Sequence, residues 1–138
     1  MQLRPFFRYS IYAVLTVLVV TGVAWLIANQ FKSSANGELW QAAAANLLMP
    51  HGGAATISLL LIGALFPVHI RMSWMRGKNR LTGGLMVSIG AVLIATAFGL
   101  YYTGSDLLRP WISWTHIGFG LAVPLLALVH IVTGRRSR

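Results

Sequence analysis

Long apolar runs without a charged residue dominate this chain. Four of them lack Asp, Glu, Lys and Arg, and they cover approximately Tyr9–Phe31, Pro50–Ile70, Leu81–Gly104 and Pro110–Gly134. Each run is at least as long as the roughly 20 residues that an α-helix needs to cross the hydrocarbon core of a bilayer. The pattern therefore predicts an all-α protein, an integral membrane four-helix bundle whose spanning helices are these four runs.

Composition supports membrane lipid as the surrounding solvent. The 138 residues are 57% hydrophobic and only 9% charged. A soluble domain of this size could not bury so much apolar surface. We therefore expect residues 1–138 to form a single transmembrane domain, and any soluble catalytic module to belong to another polypeptide.

The net charge of +9 is spread unevenly along the chain. The first and third connections contain only Lys32 and Arg109, which Glu38 and Asp106 offset. The other nine basic residues lie in the N-terminus, the second connection or the C-terminus: Arg4, Arg8, Arg71, Arg76, Lys78, Arg80, Arg135, Arg136 and Arg138. Because basic segments are retained in the cytoplasm, both termini are predicted to be cytoplasmic. The distribution of basic residues thus indicates the orientation of the chain in the membrane, and nucleic-acid binding is not expected.

Four histidines lie near the ends of two runs, His51 and His69 on the second and His116 and His130 on the fourth. On an ideal helix, residues 18 apart are separated by about five whole turns, and residues 14 apart lie within about 40° of one face. Each helix should therefore present two imidazoles on one side. Imidazole is a common axial ligand of haem iron, and an ionisable residue inside a membrane span is a functional-site hypothesis by default.

The second and fourth helices should run in the same direction, since an even number of crossings separates them. This places His51 and His116 near the outer surface and His69 and His130 near the inner one. Two facing helices would then hold one bis-histidine site at each end, so all four residues are predicted to be axial iron ligands of two haem b groups. The spacings of the two histidine pairs differ by about one helical turn. Helix tilt, kinks at Pro67 and Pro124 and a ligand offset shared between both ends would have to absorb this difference.

The remaining segments are predicted to support this arrangement. The second helix should begin at Pro50, after an outer loop (Lys32–Met49) in which a short surface helix could form from Glu38. The first run has no histidine and should be a packing helix; Thr16, Thr21 and Gly22 interrupt its bulkier residues. Small residues also form a stripe on the third run, at Gly84, Ser88, Ala91, Ala95 and Gly99. Such stripes let membrane helices approach closely.

The absence of cysteine narrows the chemistry further. It excludes disulfides, covalent c-type haem attachment and thiolate iron–sulfur ligation within the chain. Because two bis-histidine irons would have no open coordination position, the sequence favours an electron-carrier subunit of an oxidoreductase complex over an enzyme acting alone.

Short motifs around the histidines are similar to paired haem-binding helices. They are Pro50-His-Gly-Gly, Pro67-Val-His-Ile-Arg, Trp114-Thr-His-Ile-Gly-Phe-Gly and Leu128-Val-His-Ile. On these the chain resembles the small dihaem b-type cytochromes of the bacterial inner membrane, in the broad cytochrome b561-like and respiratory cytochrome b-like group. The thirteen residues between His116 and His130 match that family's ligand spacing, whereas the seventeen between His51 and His69 depart from it.

The resemblance implies a transmembrane electron-transfer subunit that links the quinone pool with a partner redox protein, either periplasmic or in the membrane. Quinone is then a candidate second cofactor, although no quinone-binding motif is recognisable. Basic residues near the membrane surfaces are candidate partners of haem propionates: Lys32, Arg71, Arg76, Arg109 and Arg135. Two alternatives stay open, namely a metal- or haem-handling membrane protein with transient histidine ligands and a non-redox anchor or assembly subunit.

Overall fold

The computed structural model describes residues 4–77 and 79–136, and over these it is helical and contains no strand. In chain order the elements are α1 (Pro5–Phe31), α2 (Gly37–Leu65), a π-helical turn (Phe66–Ile70), α3 (Arg71–Met75), α4 (Arg80–Tyr102) and α5 (Leu108–Arg136). Four of them, α1, α2, α4 and α5, are long and apolar enough to span a membrane. The predicted all-α class with four such helices is confirmed. Two residues of the basic set, Lys78 and Arg138, lie outside the described residues.

The chain divides into two compact units, each built around one helical hairpin. Unit 1 (Met1–His69) contains the α1–α2 hairpin, and unit 2 (Ile70–Arg138) contains α3 and the α4–α5 hairpin. Most large apolar side chains in both units point outward; Leu60, Phe98 and Leu125, for example, are well exposed. Such surfaces are unfavourable in water and suit a lipid solvent, because lipid tails are as apolar as these side chains.

Close packing in unit 1 depends on small side chains. The buried apolar residues of the described chain are Ala28 on α1 and Ala44 and Ala54 on α2. At the loop end of the hairpin, the rings of Phe31 and Trp40 lie 5.3 Å apart. The methyl side chains let the two backbones approach, so that many small dispersion contacts form along the pair.

The second helix begins earlier than predicted. It starts at Gly37 and runs through Pro50 without a break, so the predicted start at Pro50 is wrong. The residues before Pro50 are good helix formers, and they pack against the last turns of α1 through Ala44 and Trp40. This packing offsets the backbone hydrogen bond that an interior proline removes. The connection between α1 and α2 therefore shrinks to residues 32–36.

The predicted distortion at Pro67 takes the form of a π-helical turn, Phe66–Ile70. Proline lacks an N–H and its ring collides with the carbonyl four residues earlier, and widening the turn relieves both problems. Residues in a π-turn advance by a smaller angle than in an α-helix, because the hydrogen bond spans five residues. His69 therefore lags behind the face that an ideal helix predicts from His51, whereas His116 and His130 lie within one continuous α5.

The two ends of α4 are shaped by different local features, a left-handed backbone at its start and arginine hydrogen bonds at its end. Before α4, Gly77 and Asn79 adopt left-handed backbone conformations (φ 72° and 51°), which glycine and asparagine adopt most readily. At the other end, Arg109 Nη1 donates to the carbonyl oxygens of Leu100 (2.9 Å) and Thr103 (3.1 Å). The guanidinium thus satisfies carbonyl groups at the end of α4 that have no partner within the helix.

The stripe of small residues on α4 serves packing at its two ends. A β-carbon on Gly99 would lie 3.1 Å from Ile112 Cγ2 of α5, and one on Gly84 would lie 3.6 Å from the Trp74 ring of α3. The middle of the stripe, in contrast, is exposed. Among the residues of this stripe, Gly99 therefore makes the close approach to α5.

Replacing Gly99 by valine should destabilise unit 2. The added carbons would collide with Ile112, and overpacking of this kind costs about 1–3 kcal/mol. Gly90→Val is the matched control, since a β-carbon there meets no atom within 4 Å and the change in helix propensity is the same. Denaturant unfolding in detergent micelles measures the difference. Equal stability of the two variants would contradict the close contact at Gly99.

Candidate histidine ligand sites

In unit 1, His51 is held by a threonine of the neighbouring helix. Its Nδ1 lies 2.9 Å from the hydroxyl of Thr21 on α1. Thr21 is a buried polar residue with 8% exposure, while His51 is half-buried. His51 is the fifteenth residue of α2, about 21 Å from its first residue along the axis. The prediction that this histidine stands at the start of its helix is therefore wrong.

Unit 2 contains two further pairs of the same kind. His116 Nδ1 lies 2.8 Å from the Thr96 hydroxyl, and His130 Nδ1 lies 3.0 Å from the Thr82 hydroxyl. The two threonines on α4 are 14 residues apart, as are the two histidines on α5. Both pairs therefore share one antiparallel register, at levels about 21 Å apart along the hairpin.

The threonine hydroxyls also bond to their own helix. Thr21 Oγ1 lies 2.6 Å from the carbonyl oxygen of Val17, and Thr96 Oγ1 lies 2.8 Å from that of Val92. In both cases the carbonyl belongs to the residue four positions earlier, which is the usual acceptor for a threonine inside a membrane helix. For Thr82 the corresponding contact, to the carbonyl oxygen of Asn79, is longer at 3.5 Å.

Glycines lie against two of the imidazole rings. A β-carbon on Gly22 would be 3.4 Å from His51 Cε1, and one on Gly83 would be 3.8 Å from His130 Cε1. These glycines directly follow Thr21 and Thr82. A side chain larger than alanine at either position would enter the space that the ring occupies.

His69 differs from the other three histidines in its surroundings. It is half-buried and lies in the π-turn that follows α2.

Three further features bear on ligand binding: the face of α5 between its two histidines, the guanidinium of Arg109 and clusters of metal-ligating side chains. The α5 residues on the face between His116 and His130, namely Gly120, Val123 and Ala127, are half-buried, and a β-carbon on Gly120 would meet Leu93 of α4 at 4.0 Å. Arg109, a candidate partner of haem propionates, uses part of its guanidinium on backbone carbonyls. Among the described residues, no group of three or more His, Cys, Asp or Glu side chains lies together as a metal cluster.

The pairing of His51 with His116 and of His69 with His130 would join the two units, and it stays a prediction. Within the units, His51 lies on α2 and His116 and His130 lie on α5, as predicted, whereas His69 lies in the π-helical turn that follows α2. Sequence reasoning misses their threonine partners, because it assigns Thr21 to a packing helix and gives Thr82 and Thr96 no role. One signal that could have found them is the spacing of Thr82 and Thr96, which equals that of His116 and His130.

In comparisons with known proteins, no protein-family model, curated protein or solved structure matches the chain.

Proposed function

We propose that this protein is a transmembrane electron-transfer subunit of the bacterial inner membrane that binds two b-type haems through its four histidines. The observation that carries the proposal is the repeated contact between a histidine Nδ1 and a threonine hydroxyl inside membrane-length helices. Metal-ligating histidines nearly always use their second ring nitrogen in such a bond, which fixes the ring for the metal.

The donor set fits a haem better than a bare metal ion. Imidazole is a common axial ligand of haem iron, and in unit 2 two imidazoles lie on one helix about 21 Å apart, too far to share one ion. Non-covalent binding is required because the chain has no cysteine. A b-type haem, when bound, supplies reversible one-electron chemistry.

The protein's own residues would provide orientation and a low-dielectric setting. The threonines hold the imidazole rings, and the outward apolar side chains keep the spans in lipid. Basic side chains such as Lys32 and Arg135 are available near helix ends for carboxylate groups, whereas Arg109 shares its donors with two backbone carbonyls. These roles accord with two redox sites at different depths and a chain that carries electrons without transforming a substrate.

We further propose that a redox partner docks at the loop ends of the two hairpins. In unit 1 this surface comprises Lys32–Met49, and in unit 2 it comprises Ser105–Trp111. In the proposed topology these ends face the periplasm, and the partner or the quinone pool supplies and removes electrons.

The purified protein should contain about two haems per chain, extractable with acidic organic solvent. The pyridine haemochrome spectrum should be that of haem b, because covalent attachment requires cysteine. Reduced-minus-oxidised spectra and haem-to-protein ratios test this. A haem-free preparation from haem-replete cells would refute the proposal and favour the anchor or assembly alternative.

Single histidine substitutions should divide the haems into two groups. His116→Ala and His51→Ala should remove one haem, and His130→Ala and His69→Ala the other, because losing one axial imidazole weakens retention of the group. Thr133→Ala serves as a control, since its hydroxyl bonds within its own helix. Redox titration monitored by absorbance resolves the two components. If His51→Ala keeps both signals while His116→Ala loses one, His51 is not a ligand.

Membranes that contain the chain alone should be reduced by a quinol analogue or dithionite but should not turn over a periplasmic acceptor. Turnover should appear when the partner protein is restored, because the chain provides no domain large enough for a substrate site. Stopped-flow reduction and steady-state assays in the same membranes measure the two steps. Efficient turnover of a soluble substrate by the isolated chain would show that it is an enzyme in its own right.

A further inference from the structure

We infer that Thr21 and Thr96 are positioning residues that hold His51 and His116 in the Nδ1–H tautomer and so assign Nε2 as the ligating nitrogen. The inference extends the proposed function by naming residues that control the strength of the ligands. It rests on geometry within each hairpin and can be tested without a bound haem.

The direction of the hydrogen bonds follows from the carbonyl contacts. A threonine hydroxyl has one proton to donate, and a backbone carbonyl oxygen can only accept. Thr21 Oγ1 is 2.6 Å from the Val17 oxygen, and Thr96 Oγ1 is 2.8 Å from the Val92 oxygen, so each hydroxyl donates its proton there. The remaining lone pairs of the hydroxyl can then only accept, and the donor must be the Nδ1–H of the histidine.

This direction of the hydrogen bond places the lone pair of the imidazole ring on Nε2. In a neutral imidazole one nitrogen carries the proton and the other carries the lone pair. With Nδ1 protonated, the metal-binding lone pair belongs to the nitrogen on the opposite edge of the ring from the threonine. The threonine thus determines both which atom binds and in which direction it points.

Thr21-Gly22 and Thr82-Gly83 repeat this arrangement with a glycine beside the ring. We call each such dipeptide a Thr-Gly seat: the hydroxyl bonds to Nδ1, and the glycine lies against Cε1. A β-carbon on the glycine would be 3.4 Å from Cε1 of His51 and 3.8 Å from Cε1 of His130. The two seats lie on the first long helix of different units. Their recurrence argues that the contact is a feature of ligand placement, since helix packing alone does not require a hydroxyl next to the glycine.

A hydroxyl acceptor also sets the electronic character of the ligand. Second-shell partners raise the basicity of a ligating imidazole, most strongly when they are carboxylates. A neutral hydroxyl gives a weaker effect, so these histidines remain neutral imidazoles when they ligate. Losing such a partner is expected to reduce affinity for the bound group about 10–100-fold.

The experiment compares threonine variants of the full chain labelled with ¹⁵N-histidine. In the haem-free protein, the ¹⁵N shifts of His51 and His116 should show a protonated Nδ1. Thr21→Val and Thr96→Val should each move one histidine signal toward the Nε2–H tautomer, and Thr→Ser at the same positions should restore it. Haem titration of the same variants should show the roughly 10–100-fold weakening at one site.

Matched controls separate positioning from a general effect of removing a hydroxyl. Thr16 on α1 and Thr115 on α5 bond to the carbonyl four residues earlier, as Thr21 and Thr96 do. Thr16→Val and Thr115→Val should therefore leave the histidine signals and haem affinity unchanged. Unchanged signals in Thr96→Val and Thr21→Val, or equal shifts in the controls, would overturn the inference.

The outcomes also distinguish this inference from the proposed function. A wild-type chain that binds no haem refutes the proposed function, yet the tautomer measurement still decides the role of the threonines. If the tautomer shifts but haem affinity at both sites stays constant, the threonines set the tautomer of the histidines, but the inference that they assign the ligating nitrogen is overturned.

Discussion

A ring N–H inside a membrane span needs an acceptor, and this requirement shapes both hairpins. Lipid offers no hydrogen-bonding partner, so an unsatisfied polar group costs several kcal/mol. In three places a histidine Nδ1 lies within 3.0 Å of a threonine hydroxyl on the adjacent helix. Each contact demands that the helices lie close and in one register, which explains why alanine and glycine line the approach of α1 to α2 at Ala28, Gly22 and Ala54.

The threonine serves two groups at once. Its hydroxyl proton goes to a carbonyl of its own helix, and its oxygen faces the imidazole of the other helix. Valine has nearly the same shape but would leave the ring without its partner. The role of such a threonine cannot be predicted from the hydropathy of its own helix, because it depends on a histidine of the neighbouring helix.

The apolar pattern predicts the helical class and the number of long helices, since lipid imposes a minimum length on each span. The spacing of the histidines likewise marks them as candidate ligands. Two features could not be derived in this way. The start of α2 at Gly37 depends on packing of Ala44 and Trp40 against α1, and local proline preferences point instead to Pro50. The angular position of His69 depends on a π-turn, whereas the periodicity argument assumes an ideal helix throughout.

The length of α2 has a consequence for how unit 1 meets the bilayer. Its 29 residues extend for about 43 Å, against a hydrocarbon thickness of about 30 Å. A typical tilt of about 20° shortens the projection by only a few ångströms, so the mismatch cannot be absorbed by tilting alone. In a bilayer, part of α2 would therefore extend beyond the hydrocarbon core, and the end that carries Glu38, Trp40 and Gln41 is the polar one. Anything that approaches this side of the membrane would meet a fixed helical surface supported by Phe31, in place of a flexible loop.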